Sequence, residues 1–196
     1  MKRDVLFGLS YLGVAGQVLI ALLLVLLVLW FLGVRGPLDT VRRWLWGYEL
    51  WAAFIVASIA TGGSLFYSEV WRFQPCEFCW YQRLFMYPLS ITLLLVAWYG
   101  ANRVARYLLA LAVVGAGIST YHMLIQYDVI KEPSACSVAA AGGCKLNWLA
   151  FPASDASFGY LAIPTLAFTA FLLLIGFLVL ASTGITDDAA TLPADA

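Results

Sequence analysis

Charged side chains are scarce in this chain of 196 residues, which has 11 Lys and Arg, 11 Asp and Glu, and a formal net charge of zero. The chain therefore lacks the basic excess that a nucleic-acid partner requires, and no such partner is expected. Hydrophobic residues make up 63% of the sequence, which is more apolar surface than a soluble domain can bury. The composition indicates an integral membrane protein.

Five stretches contain no charged residue: 5–34, 50–68, 84–102, 107–127 and 156–186. Each approaches or exceeds the roughly 20 residues that a transmembrane helix needs. Polar and apolar residues do not alternate within them, which argues against transmembrane β-strands. We therefore predict an all-α membrane protein with five transmembrane helices. The first stretch is longer than the apolar core of a signal peptide, about 7–15 residues, so we expect it to be retained.

Cysteine is also rare, and the four cysteines form two close pairs in the connections 69–83 and 128–155. Two predicted helices separate these connections, so both pairs should face the same side of the membrane. The short connections on the other side are rich in arginine: Arg35, Arg42, Arg43, Arg103 and Arg106. The positive-inside rule and the persistence of paired cysteines in oxidising compartments predict the same orientation. We expect a multi-pass cell (inner) membrane protein with extracytoplasmic cysteine loops, the N-terminus outside and the C-terminus inside.

The pair Cys76 and Cys79 forms a C-x-x-C motif at the start of a predicted helix. A helix N-terminus carries partial positive charge, which lowers the pKa of a nearby thiol and favours the reactive thiolate. Arg83 follows one helical turn after Cys79, so its guanidinium is expected near the same sulfur. The other interpretation of Arg83 is an arginine that extends toward lipid headgroups. The motif therefore predicts thiol–disulfide exchange with a Cys79 thiolate.

Structural disulfides and a zinc site are the alternatives for the four cysteines. The spacing of Cys136 and Cys144 is longer than zinc sites usually have, and no metal is expected. A c-type haem attachment would need His directly after Cys79, where Trp80 stands. The sequence leaves open which cysteines pair with each other.

Four motifs together resemble the DsbB/BdbC family of disulfide-bond formation proteins over residues 47–182. They are Pro75-Cys-x-x-Cys-Trp-Tyr-Gln-Arg83-x-x-Met-Tyr-Pro88, Tyr121-His122-x-x-x-Gln126, the pair Cys136 and Cys144, and Phe158-Gly-Tyr-Leu-Ala-Ile-Pro164. The short spacing of the outer cysteines is similar to the BdbC type. The resemblance implies a four-helix redox bundle. Residues 1–46 would then be an additional N-terminal transmembrane helix with a basic cytoplasmic loop, and residues 183–196 a disordered tail.

The resemblance also implies an enzyme, a protein-thiol:quinone oxidoreductase that serves protein folding. It would reoxidise a DsbA-like thioredoxin-fold partner on the outer face and pass electrons to a membrane quinone, either ubiquinone or menaquinone. By this analogy Cys136 takes the mixed disulfide with the partner, Cys144 completes the outer pair, and Cys76 exchanges with that pair. The implied quinone-binding residues are Cys79, Arg83, Gln82 and His122.

Two other functions compete with this one. The first is a quinone reductase similar to vitamin-K-epoxide reductase, but there the C-x-x-C motif lies on a late helix rather than early in the chain. The second is a non-enzymatic membrane scaffold with two structural disulfides that chaperones a partner. Reduction by a mild dithiol separates the scaffold from the enzymes, because structural disulfides resist it.

Overall fold

The computed structural model describes residues 2–34, 36–72, 74–134, 136, 144 and 162–191. Its regular elements are the helices α1 (Lys2–Phe31), α2 (Gly36–Leu45), α3 (Glu49–Leu65), α4 (Glu77–Tyr99), α5 (Ala105–Gln126) and α6 (Ile163–Thr191). A π-helical turn, Phe66–Val70, extends α3, and a 3₁₀ turn, Asn102–Val104, precedes α5. The predicted all-α class is confirmed. The long helices α1, α3, α4, α5 and α6 follow the order of the five charge-free stretches.

Three segments of the described residues are long and apolar enough to cross a bilayer: Glu49–Val70, Ala105–Gln126 and Ile163–Ser182. The apolar segment found within α1, Tyr11–Leu26, is shorter. Helix α4 has 23 residues, but Glu77, Gln82 and Arg83 in its first turns make it less apolar. The chain is therefore an integral membrane protein whose polar residues gather where α4 begins.

Helices α3, α4, α5 and α6 form a closed four-helix arrangement. Helix α4 packs between α3 and α5, and α6 packs against the same two neighbours on the other side. Leu89, Leu93 and Phe171 are fully buried between the four helices. Helix α1 packs outside this arrangement, against α6. The bundle predicted from the resemblance, with one added N-terminal helix, is the architecture observed.

Small residues allow the four helices to approach one another closely. Ala53 and Ala57 of α3 and Ala112 of α5 are completely buried, and Gly115 of α5 contacts the ring of Phe171. Lipid tails are as apolar as the side chains, so burial of apolar surface does not drive helix association within a bilayer. Close van der Waals packing at small residues instead favours the association of the helices.

The two ends of α4 are set by local sequence. Cys76 is the N-cap residue, with extended backbone angles, and its side chain accepts a hydrogen bond from the Cys79 amide. Gly100 ends the helix with φ of +62°, a conformation that glycine adopts without steric cost. The C-x-x-C motif therefore occupies the first turn of α4.

Helix α6 continues to Thr191, past the predicted start of a disordered tail at residue 183. Residues 192–196 lie outside the described residues, as do Arg35, Lys145, and Phe158 to Leu161 of the last motif. The domain boundaries stay a prediction.

The close contact between Gly115 and Phe171 gives a test of the packing. A Cβ atom at Gly115 would overlap the Phe171 ring, so Gly115→Ala should destabilise the bundle by about 1–3 kcal/mol. Gly117 lies on the same helix with no atom within 4 Å of its added Cβ, and Gly117→Ala is the matched control. The control should be neutral or slightly stabilising. Thermal unfolding in detergent measures both, and equal melting temperatures would contradict this packing.

Candidate redox site

All four cysteines lie in one buried cluster at the end of the bundle where α4 begins. Cys76, Cys79, Cys136 and Cys144 pack together with Ile125 at the end of α5. Phe78 covers the cluster from one side. The structure thus brings together two pairs that are far apart in the sequence, whereas the count of intervening helices predicted only that they lie on the same side of the membrane.

The two pairs differ in their bonding. Cys136 and Cys144 form a disulfide, with Cα atoms 5.3 Å apart. Cys76 and Cys79 are free thiols whose Sγ atoms lie 2.9 Å apart. The structure therefore selects one of the pairings that the sequence left open. Thiols next to a disulfide in one buried cluster are the reactants of disulfide exchange.

Cys76, rather than Cys79 as predicted from the sequence, lies at the N-terminus of α4, where the helix carries partial positive charge. The amide of Cys79 donates to Cys76 Sγ at 3.4 Å, because Cys76 is the N-cap and Cys79 lies inside the first turn. The hydrogen bond with the Cys79 thiol lowers the pKa of Cys76 to about 5; burial opposes this shift, and the His122 ring adds to it. The Cys76 thiol therefore ionises at a lower pH than an ordinary cysteine.

His122 joins the two cysteine pairs. It is only 2% exposed, and its Nε2 atom lies 3.7 Å from Cys76 Sγ and 3.3 Å from the carbonyl oxygen of Cys144. The side-chain nitrogen of Gln82 lies 3.4 Å from Nδ1. When Gln82 donates to Nδ1, the ring proton is on Nε2 and can be donated to Cys76 or to Cys144.

Glu132 is a site residue that the sequence analysis did not single out. Its carboxylate accepts a hydrogen bond from the backbone amide of Cys144, which fixes this end of the outer disulfide. The sequence feature that could have indicated this role is the position of an acidic residue shortly before the pair Cys136 and Cys144. Sequence spacing does not show that the chain folds back to place the carboxylate on Cys144.

Arg83 is buried without a counter-ion among the described residues. Its Nε and one terminal nitrogen donate to the hydroxyl and carbonyl oxygens of Ser64, at 2.8 and 2.9 Å. The guanidinium lies 5.2 Å from the centre of the Trp80 ring, and the residue is 8% exposed. Neutral acceptors leave the positive charge uncompensated, which favours an electron-rich group beside it.

A cavity of about 230 Å³ lies between α1, α3, α4 and α6. Cys79, Gln82 and Arg83 line it from one face of α4, since residues three and four apart share a helix face. Cys79 is the only cysteine among its described lining residues, and His122 is not among them. The predicted role of His122 in a quinone pocket stays a prediction. Its observed contacts are with Cys76, the Cys144 backbone and Gln82.

Two tyrosine hydroxyl groups in the cavity wall have no hydrogen-bond partner within the described part of the chain. Tyr67, in the π-helical turn after α3, and Tyr87 of α4 both line the cavity, and their hydroxyl oxygens are buried. Buried hydroxyl groups normally find partners, because an unmade hydrogen bond costs about 1–3 kcal/mol. An apolar cavity whose wall contains such hydroxyl groups and a cation fits a mainly apolar ligand that carries oxygen acceptors.

The zinc alternative is restricted by the disulfide. Sulfur atoms bonded to each other are not thiolate ligands, so Cys136 and Cys144 cannot complete a four-cysteine site in this state. The remaining ligand atoms, from Cys76, Cys79 and His122, lie within 4.8 Å of one another.

Comparison with known proteins agrees with this chemistry. The family model "Disulfide bond formation protein DsbB" matches residues 43–184. "Disulfide bond formation protein C" of Bacillus subtilis is 42% identical over 135 residues, which cover 67% of this chain and 90% of that protein. The "Probable disulfide formation protein" of Deinococcus radiodurans is 39% identical over 131 residues, 66% of this chain and 86% of that one.

No solved structure matches the chain. The matched range includes both cysteine pairs, Arg83 and His122. With this match and these relatives, the chain belongs to the DsbB family of disulfide bond formation proteins.

Proposed function

We propose that this membrane protein oxidises the dithiol of a DsbA-like thioredoxin-fold partner and passes the two electrons to a membrane quinone. One observation carries the proposal: a single buried cluster holds all four cysteines, and Cys79 is the only cysteine among the described residues that line the apolar cavity. The names of the relatives, which refer to disulfide formation, support the oxidative direction.

The relay is a series of thiol–disulfide exchanges. A partner thiolate attacks Cys136, Cys144 leaves, and the second partner thiol resolves the mixed disulfide, so the partner is oxidised and the outer pair reduced. An outer thiolate then attacks Cys76 and expels Cys79 as a thiolate. The second outer thiolate restores the Cys136–Cys144 bond and expels Cys76. Every exchange breaks one S–S bond and forms one, and two electrons and two protons move inward.

The bonding seen in the structure corresponds to one stage of this relay. The outer pair is a disulfide and the inner pair a dithiol, which is the state after the electrons have reached Cys76 and Cys79. Thiols of low pKa are better leaving groups. The contacts of Cys76 with Cys79 and His122 therefore assist the step in which Cys76 is expelled.

The cavity fits a quinone ring. Its volume of about 230 Å³ exceeds the roughly 150 Å³ of an apolar cavity that binds benzene. Arg83, Gln82 and Tyr67 would hold the ring through hydrogen bonds to its oxygen atoms, with Cys79 beside it. When bound, a quinone supplies a two-electron acceptor. The protein supplies the reduced sulfur of Cys79 and the positive charge of Arg83.

The orientation in the membrane is part of the proposal. The cysteine cluster lies where α4 begins, and the exposed Arg103 and Arg106 follow the opposite end of α4. Arginines concentrate on the cytoplasmic side of membrane proteins. We therefore place the cysteines outside the cytoplasm, with the N-terminus outside and the C-terminus inside.

Replacing Cys79 by Ser should abolish quinone reduction, because the relay loses the sulfur that reaches the cavity. Purified protein in detergent would be mixed with a reduced thioredoxin-like dithiol and either ubiquinone-1 or menadione, and quinone absorbance followed. The proposal fails if wild-type protein reduces neither quinone while its disulfide survives the dithiol, a result that favours the structural scaffold. Absence of turnover together with stoichiometric bound zinc would favour a metal site.

Replacing Arg83 by Ala should raise KM for the quinone roughly tenfold to hundredfold, the value of a hydrogen bond to a charged group. Arg106→Ala is the control, because Arg106 is exposed at the other end of the bundle. Disulfide exchange with the partner should continue in both variants. Equal quinone kinetics in folded Arg83→Ala and Arg106→Ala would exclude the proposed role of Arg83.

The low pKa of Cys76 predicts its reactivity. In fully reduced protein, iodoacetamide should alkylate Cys76 with a pH midpoint near 5, below the ordinary thiol range, and mass spectrometry would identify the residue. His122→Phe removes the imidazole contact and should move the midpoint upward. Thr120→Ala, which loses only a bond to its own helix, should leave the midpoint unchanged. A wild-type midpoint of 8 or above would contradict this assignment.

A further inference from the structure

Helix α1 contributes to the cavity although it lies outside the family match. The matched range begins at residue 43, whereas α1 ends at Phe31. Nevertheless Leu12 and Gly13 of α1 line the same cavity as Cys79 and Arg83. The cavity wall of this protein therefore includes an element that the family match does not cover.

Gly16 allows α1 to dock closely against α6. Gly16 is buried, and an added Cβ would lie 3.0 Å from a methyl carbon of Thr169 and 3.2 Å from one of Leu173. Gln17 donates a hydrogen bond of 3.5 Å to the Thr169 hydroxyl. A larger residue at position 16 would have to push α1 and α6 apart.

The contacts that hold α1 also shape the cavity. Thr169 and Leu173 touch Gly16 on α1, and both line the cavity together with Leu12. The position of α1 and the width of the cavity are therefore coupled. Leu12 is 53% exposed, which places its side chain at the edge of the cavity rather than in its interior.

We propose that α1 is the size-selecting wall of the acceptor cavity, with Leu12 limiting the width of the quinone ring that enters and Gly16 fixing the wall in place. This inference rests on the proposed use of the cavity by a quinone. It assigns a specificity role to a helix outside the matched range. Because ring width is what the wall limits, single-ring benzoquinones and two-ring naphthoquinones are the ligands that it distinguishes.

The test compares the ratio of kcat/KM for menadione to that for ubiquinone-1, with the same dithiol as electron donor. Leu12→Ala and Gly16→Leu should each move this ratio toward the two-ring quinone by about tenfold, the scale of a methylene-sized change in a pocket. Two controls lie on α1 itself. Leu22→Ala alters a leucine of similar exposure (56%) that does not line the cavity, and Gly8→Leu adds a side chain where no atom lies within 4 Å.

A second readout does not depend on turnover. A photoreactive azidoquinone should label α1 around Leu12 as well as α4 in wild-type protein. Gly16→Leu should lose the α1 label and keep the α4 label, whereas Gly8→Leu should keep both. Unchanged ratios in Leu12→Ala and Gly16→Leu, or labelling of α4 without α1, would overturn the role of α1 and leave the oxidase function standing. A wild-type protein that is labelled on α1 but reduces no quinone would instead overturn the oxidase function and keep α1 as a cavity wall.

Discussion

The candidate redox site depends on the contacts of one buried histidine. His122 touches Cys76 at the start of α4 and the backbone of Cys144, so one side chain fixes the relative position of the two cysteine pairs. Its other ring nitrogen meets Gln82, which lines the cavity. The ring thus connects both sulfur pairs to the cavity wall. The Glu132 carboxylate also holds this pair, because it accepts a hydrogen bond from the backbone amide of Cys144.

The charge of Arg83 has a different role in the same region. A guanidinium in an apolar environment is stable only when its donors are satisfied, and Ser64 satisfies two of its nitrogen atoms without cancelling the charge. The electrostatic field of the uncompensated Arg83 charge therefore acts on the cavity, where the low dielectric constant strengthens it. Packing in the four-helix arrangement therefore sustains an electrostatic environment that an isolated helix in lipid would not maintain.

Much of this arrangement could be predicted from the sequence, because it depends on local patterns. Charge-free stretches located the long helices, and the spacing of Cys79 and Arg83 placed both on one face of α4. The sequence analysis assigned the thiol at the helix N-terminus to Cys79, whereas the structure has Cys76 there, about one turn earlier. The N-cap residue decides this, because its sulfur accepts the hydrogen bond from the Cys79 amide. Helix boundaries are the least certain part of such predictions.

Other features could not be predicted because they arise only when helices meet. Ser64 and Tyr67 come to the site from α3 and the turn after it, and nothing in their local sequence distinguishes them from other polar residues of membrane helices. The contacts of His122 with Cys76 and the Cys144 backbone arise only from helix packing, and its predicted place beside a quinone stays a prediction. The contribution of α1 to the cavity wall depends on the absence of a side chain at Gly16. The sequence does not show this, because it does not reveal that Gly16 packs against Thr169.

The burial of the cysteine cluster also limits unwanted chemistry. Quinone rings are electrophiles that react directly with thiols, and such adducts would consume both the acceptor and the thiol. Cys79 alone among the described cysteines lines the cavity, so with the proposed quinone bound there a soluble thiol at the Cys136–Cys144 disulfide would be separated from the ring by the protein interior. Under the proposed function, the bundle would keep the two reactive compounds apart while electron pairs pass between them through the cysteines.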